Sequence, residues 1–113
     1  MSERLCRLDE IPDGESRGFE ITVGEDEVEI FVVRKGDDIY GYLNDCPHIG
    51  TPLNWNNDKF LTLDGAMIVC ATHGALFRIE DGHCTAGPCI GTNLKRIEVI
   101  NRSGEVLVLP PGE

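Results

Sequence analysis

Residues that break or turn the backbone recur so closely along this chain that no stretch can carry a helix longer than a turn or two. Thirteen Gly and six Pro are spread through it, with Asn and Asp beside many of them. What lies between them is short and rich in β-branched residues. Residues 28–32 alternate Val, Ile and Val with Glu and Phe, a period of two that fits a strand and not a helix. The same pattern places strands at 3–8, 18–23, 28–34, 39–44, 59–63, 66–69, 94–101 and 105–109. Asp64-Gly65 and Arg102-Ser103-Gly104 are hairpin signals, because Asp, Ser and Gly are common where a tight turn needs positive φ. The fold class expected is all-β, an antiparallel sandwich or small open barrel.

With 113 residues the chain is one domain, 1–113, with room for a single modest core. Its formal net charge is -10, which opposes phosphate backbones and anionic headgroups, so neither nucleic acid nor a membrane surface is an expected partner. No apolar run approaches the roughly 20 residues that span a bilayer, and the first residues contain no signal-like run. Five Cys, an odd number, fit a disulfide framework badly and point to the reducing cytoplasm.

The charge is unevenly placed. Residues 9–45 hold twelve acidic side chains against three basic ones. By contrast, the windows 46–57, 65–77 and 82–94 contain no charged residue, yet they hold all three His and every Cys except Cys6. Rich in Gly, Pro, Thr and Asn, these windows read as loops with something specific to hold.

Two of them pair a Cys with a His at close spacing: Cys46-Pro47-His48 and Cys70-Ala71-Thr72-His73. A lone buried Cys or His is usually a core residue, but two such pairs supply the four soft ligands of a metal site. Gly50 and Gly74 follow the pairs where backbone must come close, and Pro47 stiffens the first. Structural zinc sites usually group Cys with Cys and His with His, whereas each loop here mixes the two. Mixed loops suit a two-iron cluster whose irons differ, with Cys46 and Cys70 on one iron and His48 and His73 on the other. A structural zinc module is the remote alternative.

The segments Cys46-Pro47-His48-Ile49-Gly50-Thr51-Pro52-Leu53 and Cys70-Ala71-Thr72-His73-Gly74-Ala75-Leu76-Phe77 closely resemble the two cluster-binding boxes of Rieske proteins. Asp81-Gly82, Thr85-Ala86-Gly87-Pro88 and Leu94 resemble the turn and the proline loop that covers the cluster in that family. The resemblance implies a 2Fe-2S cofactor with two Cys and two His ligands. It also implies a cluster-binding subdomain over about 44–90, with Pro47, Gly50, Gly74, Ala75, Phe77, Gly87 and Pro88 in the loops around the cluster. Two departures stand out. The His48-to-Cys70 interval is longer than usual and holds Trp55-Asn56-Asn57, and Asn93 stands where many members have Pro.

Membrane-anchored Rieske subunits of cytochrome complexes carry two further Cys that cross-link the cluster loops. Here those positions are Thr51 and Thr72, and no anchor is expected. A Rieske oxygenase needs a further mononuclear iron held by two His and a carboxylate, and only His83 is left over. The resemblance therefore implies an electron-transfer protein and not itself an enzyme. It is expected to be a monomeric cytoplasmic ferredoxin passing electrons from an NAD(P)H-dependent flavin-containing reductase to a terminal oxygenase of the aromatic-ring-hydroxylating type. The alternative is the small Rieske-type subunit of an assimilatory nitrite reductase.

High-potential members of the family set a Ser hydroxyl on a bridging sulfide and a Tyr hydroxyl on a ligand thiolate, which favours the reduced state. Ala75 and Phe77 hold those positions here, so a low potential is expected. His48, His73 and Trp55 are the expected partner contacts, with the acidic body steering the approach of a basic partner. His83 is expected as a polar turn residue, Cys84 and Cys89, which flank the covering loop, as free thiols packed by the cluster with a disulfide between them as the alternative, and Cys6 as a structural residue on the first strand.

Overall fold

The computed structural model describes residues 3–23, 25–44, 60–62, 65–70, 74–87 and 90–109. Among these the chain is almost entirely β, in three antiparallel sheets, none closed into a barrel. The first sheet orders β1 (Glu3–Arg7), β10 (Glu105–Val108) and β9 (Val99–Arg102) side by side. The second orders β2 (Ser16–Val23), β3 (Asp26–Lys35), β4 (Asp38–Leu43) and β8 (Arg96–Ile97). The third is small: β5 (Ile68–Val69), β6 (Leu76–Phe77) and β7 (Cys84–Ala86). A single 3-10 turn, Leu8–Glu10, follows β1.

Register follows the apolar pattern. Pairing Phe19 with Ile30 and Ile21 with Val28 puts four apolar side chains on one face of the β2–β3 hairpin, and sends Glu20, Glu27 and Glu29 to the other. Hairpins predicted at 36–38 and 102–104 close through two-residue turns, with Lys35 opposite Asp38 and Arg102 opposite Glu105. Of the hairpin predicted across 59–69, the described residues pair, through a bridge between Leu61 and Ile68, with Val69 N–H donating to Phe60 O at 2.9 Å and Thr62 N–H to Met67 O at 2.8 Å, while Lys59, Leu63 and Asp64 lie outside the described residues. Arg34 fastens the loop after the 3-10 turn: its guanidinium donates to Leu8 O at 3.2 Å, Ile11 O at 2.9 Å and Gly36 O at 2.7 Å.

Two expectations need correction. The predicted strand 94–101 breaks at Glu98 into β8 and β9, which belong to different sheets, so the chain changes layers there. The windows 65–77 and 82–94, read as loops apart from the strand expected at 66–69, contain the third sheet; β5 falls within that expected strand, while β6 and β7 lie where loop was expected. Strands of two or three residues are too short to show a period.

The core lies on both sides of β3. Val32 packs with Cys6, Leu8, Ile11 and Val106, and Ile30 packs with Ile21 and Val108, filling the space between the first two sheets. On the opposite face Phe31 and Val33 meet Phe60, Ile68, Phe77 and Ile79. Phe31 stacks on Phe60 with ring centroids 4.4 Å apart and planes 6° from parallel, and sits 5.8 Å from Tyr42. The alternation around residue 30 thus tracks the pleat, but its second face is covered by the third sheet and not by water.

Phe31 is fully buried. Phe31→Ala is expected to cost about 3–5 kcal/mol, a large share of the stability of a domain this size, read as a lower denaturant midpoint in equilibrium unfolding.

Candidate metal centre

β5 ends by delivering Cys70, whose side chain has no exposed surface. The chain then turns back within five residues. Cys70 N–H donates to Ala75 O and Gly74 N–H donates to Cys70 O, each at 2.8 Å, so the backbone at Cys70 is tied directly to Gly74 and Ala75, which lead straight into β6. Gly74 is exposed at the tip, while Ala75 and Phe77 are wholly buried behind it. Cys70 therefore sits at the inner end of a narrow, backbone-locked loop against Ile68, Ala75 and Phe77.

A second loop closes over the first. β7 leads to Gly87, held at φ 98°, where an added Cβ would lie 2.6 Å from Ala75 Cα. A side chain cannot be placed there without moving the backbone of the Cys70 loop. Beyond Gly87 the loop carries Ile90, 66% exposed, the large hydrophobic side chain left in solvent among the described residues.

Of the four ligands predicted from sequence, the structure places Cys70. Cys46, His48 and His73 lie outside the described residues, as do Pro47, Gly50, Trp55, Pro88 and Cys89. Among the described residues no three His, Cys, Asp or Glu side chains come together as a metal site. What is described fits the predicted donor set. A thiol at a locked turn, in an apolar pocket, with a second loop seated on it, suits a soft metal held away from water.

The turn between β6 and β7 explains several leftover residues. Arg78 and Asp81 form a two-pronged ion pair, Asp81 also accepts from His83 N–H at 3.0 Å, and both bonds hold the Asp81 carboxyl below its usual range. His83 Nδ1 lies 2.7 Å from Asn93 Oδ1; the amide oxygen can only accept, so the ring donates from that nitrogen. His83, expected as a turn residue, instead follows the turn and forms an antiparallel β-bridge with Asn93. Asn93 supplies an acceptor that proline lacks, a role invisible in sequence because its partner is ten residues away. The Cys84 thiol is buried and donates to Ala86 O at 3.3 Å.

Tyr42 is the residue that sequence reasoning missed. Fully buried on β4, it donates its hydroxyl to Ile79 O in the β6–β7 turn at 2.6 Å, and burial pushes its ionisation up to about 12. Its strand pattern resembles that of any half-buried Tyr.

A family model for the Rieske [2Fe-2S] domain matches residues 2–106. The chain belongs to the Rieske family. Its cofactor is accordingly a 2Fe-2S cluster with two Cys and two His ligands. Among solved structures it is similar to the ferredoxin of carbazole 1,9a-dioxygenase from Nocardioides aromaticivorans IC177, with 27% identity, a TM-score of 0.75, and 97% of this chain and 98% of that one covered. A ferredoxin from Sphingomonas yanoikuyae B1 matches at 25% identity and a TM-score of 0.73, covering 98% of this chain and all of the other. A complex of reduced oxygenase and oxidized ferredoxin in carbazole 1,9a-dioxygenase contains a chain 28% identical, with a TM-score of 0.74 and coverage of 95% and 91%. No curated protein matches in sequence. Among the described residues no helix is long and apolar enough to cross a membrane.

Within this Rieske domain Gly87 and Gly91 make a matched pair. Both have positive φ, but a Cβ at Gly91 meets nothing within 4 Å. Gly87→Ala is expected to destabilise the protein by about 1–3 kcal/mol more than Gly91→Ala, measured as the difference in denaturant midpoints, because it adds a backbone clash to a similar strain.

Proposed function

We propose that this chain is a one-electron carrier, a Rieske ferredoxin that accepts electrons from an NAD(P)H-dependent flavin-containing reductase and passes them to a terminal aromatic-ring-hydroxylating oxygenase. The observation that carries the proposal is the end-to-end likeness to a dioxygenase ferredoxin, which spans nearly the whole of both chains. When bound, the cluster supplies reversible uptake of one electron. Cys46 and Cys70 hold one iron as thiolates, and His48 and His73 hold the other through one ring nitrogen each. The second nitrogen of each ring would then be free to serve as the exit for the electron.

Residues 44–90 form the cluster-binding subdomain, and the separate third sheet within that range supports this division. Pro47, Gly50, Gly74, Ala75, Phe77, Gly87 and Pro88 shape the loops. His48, His73 and Trp55 meet the partner, and the charge-free windows let it approach without stripping water from ions. The exposed Ile90 fits such an apolar contact face. The protein works as a cytoplasmic monomer in this scheme.

Ala75 and Phe77 are buried and carry no hydroxyl, so neither side chain can donate a hydrogen bond to sulfur and favour the reduced state. The midpoint potential is expected near the low end of the Rieske span of about -150 to +300 mV, and a value above about +100 mV would overturn this account of the site. Iron and inorganic sulfide in equal amounts, with a reduced-state paramagnetic resonance signal, are expected; zinc without sulfide would sink the proposal. Electron transfer to the oxygenase should also slow as ionic strength rises, measured by stopped flow, and a salt-independent rate would count against steering by the acidic segment.

A further inference from the structure

The third sheet touches the second through few polar links, and one of them is placed to control the cluster loops. Tyr42 lies on β4, directly opposite Phe31 of β3. Its ring fills the space beside Gly82, where an added Cβ would come within 2.8 Å of Cε1, and its hydroxyl ends on Ile79 O. Ile79 is itself buried, so this carbonyl has no water to turn to. Gly82 then accepts from Leu94 N–H at 2.9 Å and donates to Arg78 O at 2.8 Å, which knits the turn to both of its neighbours.

That turn joins β6 to β7, and each strand runs directly into a loop of the metal centre. β6 begins one residue after Ala75, and β7 ends one residue before Gly87, the residue seated on Ala75. Register across the pair slips between Leu76 and Phe77, so the ladder alone does not hold the two loops in line. Another side-chain tie from the base sheet to this turn is the Lys35–Glu80 ion pair at 2.6 Å. Both partners are about half exposed, which makes it a weak tether.

We infer that Tyr42 is a positioning residue for the cluster: by pinning Ile79 and Gly82 to the base sheet it holds the covering loop down on the Cys70 loop and keeps water from the metal. The inference rests on the cluster assignment and not on any partner.

The test uses the purified holoprotein. Tyr42→Phe keeps the ring and removes the hydroxyl. It is expected to lose its visible cluster absorbance to excess chelator about tenfold faster than wild type, the factor that goes with one lost buried hydrogen bond, and to show a raised midpoint potential as water gains access. Val106→Ala, a core cut on the far side of β3, controls for general loss of stability and is expected to change neither readout. A change in either readout that Val106→Ala does not share supports the inference. No change, or changes shared by Val106→Ala, overturns it. Should Tyr42→Phe not fold, amide exchange in the wild-type holoprotein decides. Gly82, Cys84 and Leu94 amides are expected to exchange in the same slow class as those of β3, and exchange about a hundredfold faster would overturn the inference. A wild-type protein without inorganic sulfide would instead refute the cluster assignment.

Discussion

Between Ile30 and Val33 strand β3 is apolar on both faces, and a strand built in that way is stable only if each face is covered. The first sheet covers one face through Val106 and Val108, and the third sheet with Phe60 covers the other. The two covers are unequal. The first sheet brings strands of four and five residues, but the third has strands of two and three, too short to persist alone. The aromatic platform of Phe31, Tyr42 and Phe60 is what gives that small sheet a surface to rest on, and with it the loop that carries Cys70. The site is thus a consequence of the base sheet's second face.

The same face changes character along the strand. In β3 the side chains of residues 27, 29, 31 and 33 share one side, so the carboxylates of Glu27 and Glu29 lie on the side that Phe31 and Val33 use for packing. Glu20 joins them from β2, opposite Glu29. Its carboxyl is held above the usual range, first by the hydrogen bond its protonated form donates to Glu27 and then by repulsion from Glu27 and, less, Glu29. A raised carboxyl pKa means that the folded state binds the proton more tightly, so this hairpin is less stable above the carboxylate range than below it. Such crowding of like charge is a cost to folding, and a role outside folding, in guiding a partner, gives it a physical reason.

How much could be read beforehand follows from where each signal lies in the chain. The pairs Cys46/His48 and Cys70/His73 stand out in the sequence because their chemistry is compressed into three or four residues and repeated, and of these four Cys70 lies among the described residues. The sandwich strands are legible because they are long enough to alternate. The third sheet is not, since Leu76–Phe77 offers no period, and the sheet change at Glu98 is hidden because residues 94–101 look equally strand-like throughout. Tyr42–Ile79 and His83–Asn93 were beyond reach for a different reason: each joins residues whose pairing depends on the folded topology. Gly87 announced a turn, while the backbone it presses on, Ala75, could be known only from the fold.

The electrostatics beside the Cys70 loop bear on the charge an electron would add. Arg78 and Asp81 pair with each other, and Lys35 pairs with Glu80, so the turn next to the loop contributes no net charge. Hydrogen bonds from these cations hold both carboxyls below their usual range, so the pairs stay ionised near neutrality and weaken only when acid reaches those lowered values. The His83 ring already spends its Nδ1 proton on Asn93. The cations that these carboxylates pair with are thus already engaged, and the side chains of Ala75 and Phe77 bring no donors. Both features would disfavour reduction of a cluster held here. A low potential in this protein would follow from what its neighbourhood has already committed to folding as much as from the two hydroxyls it lacks.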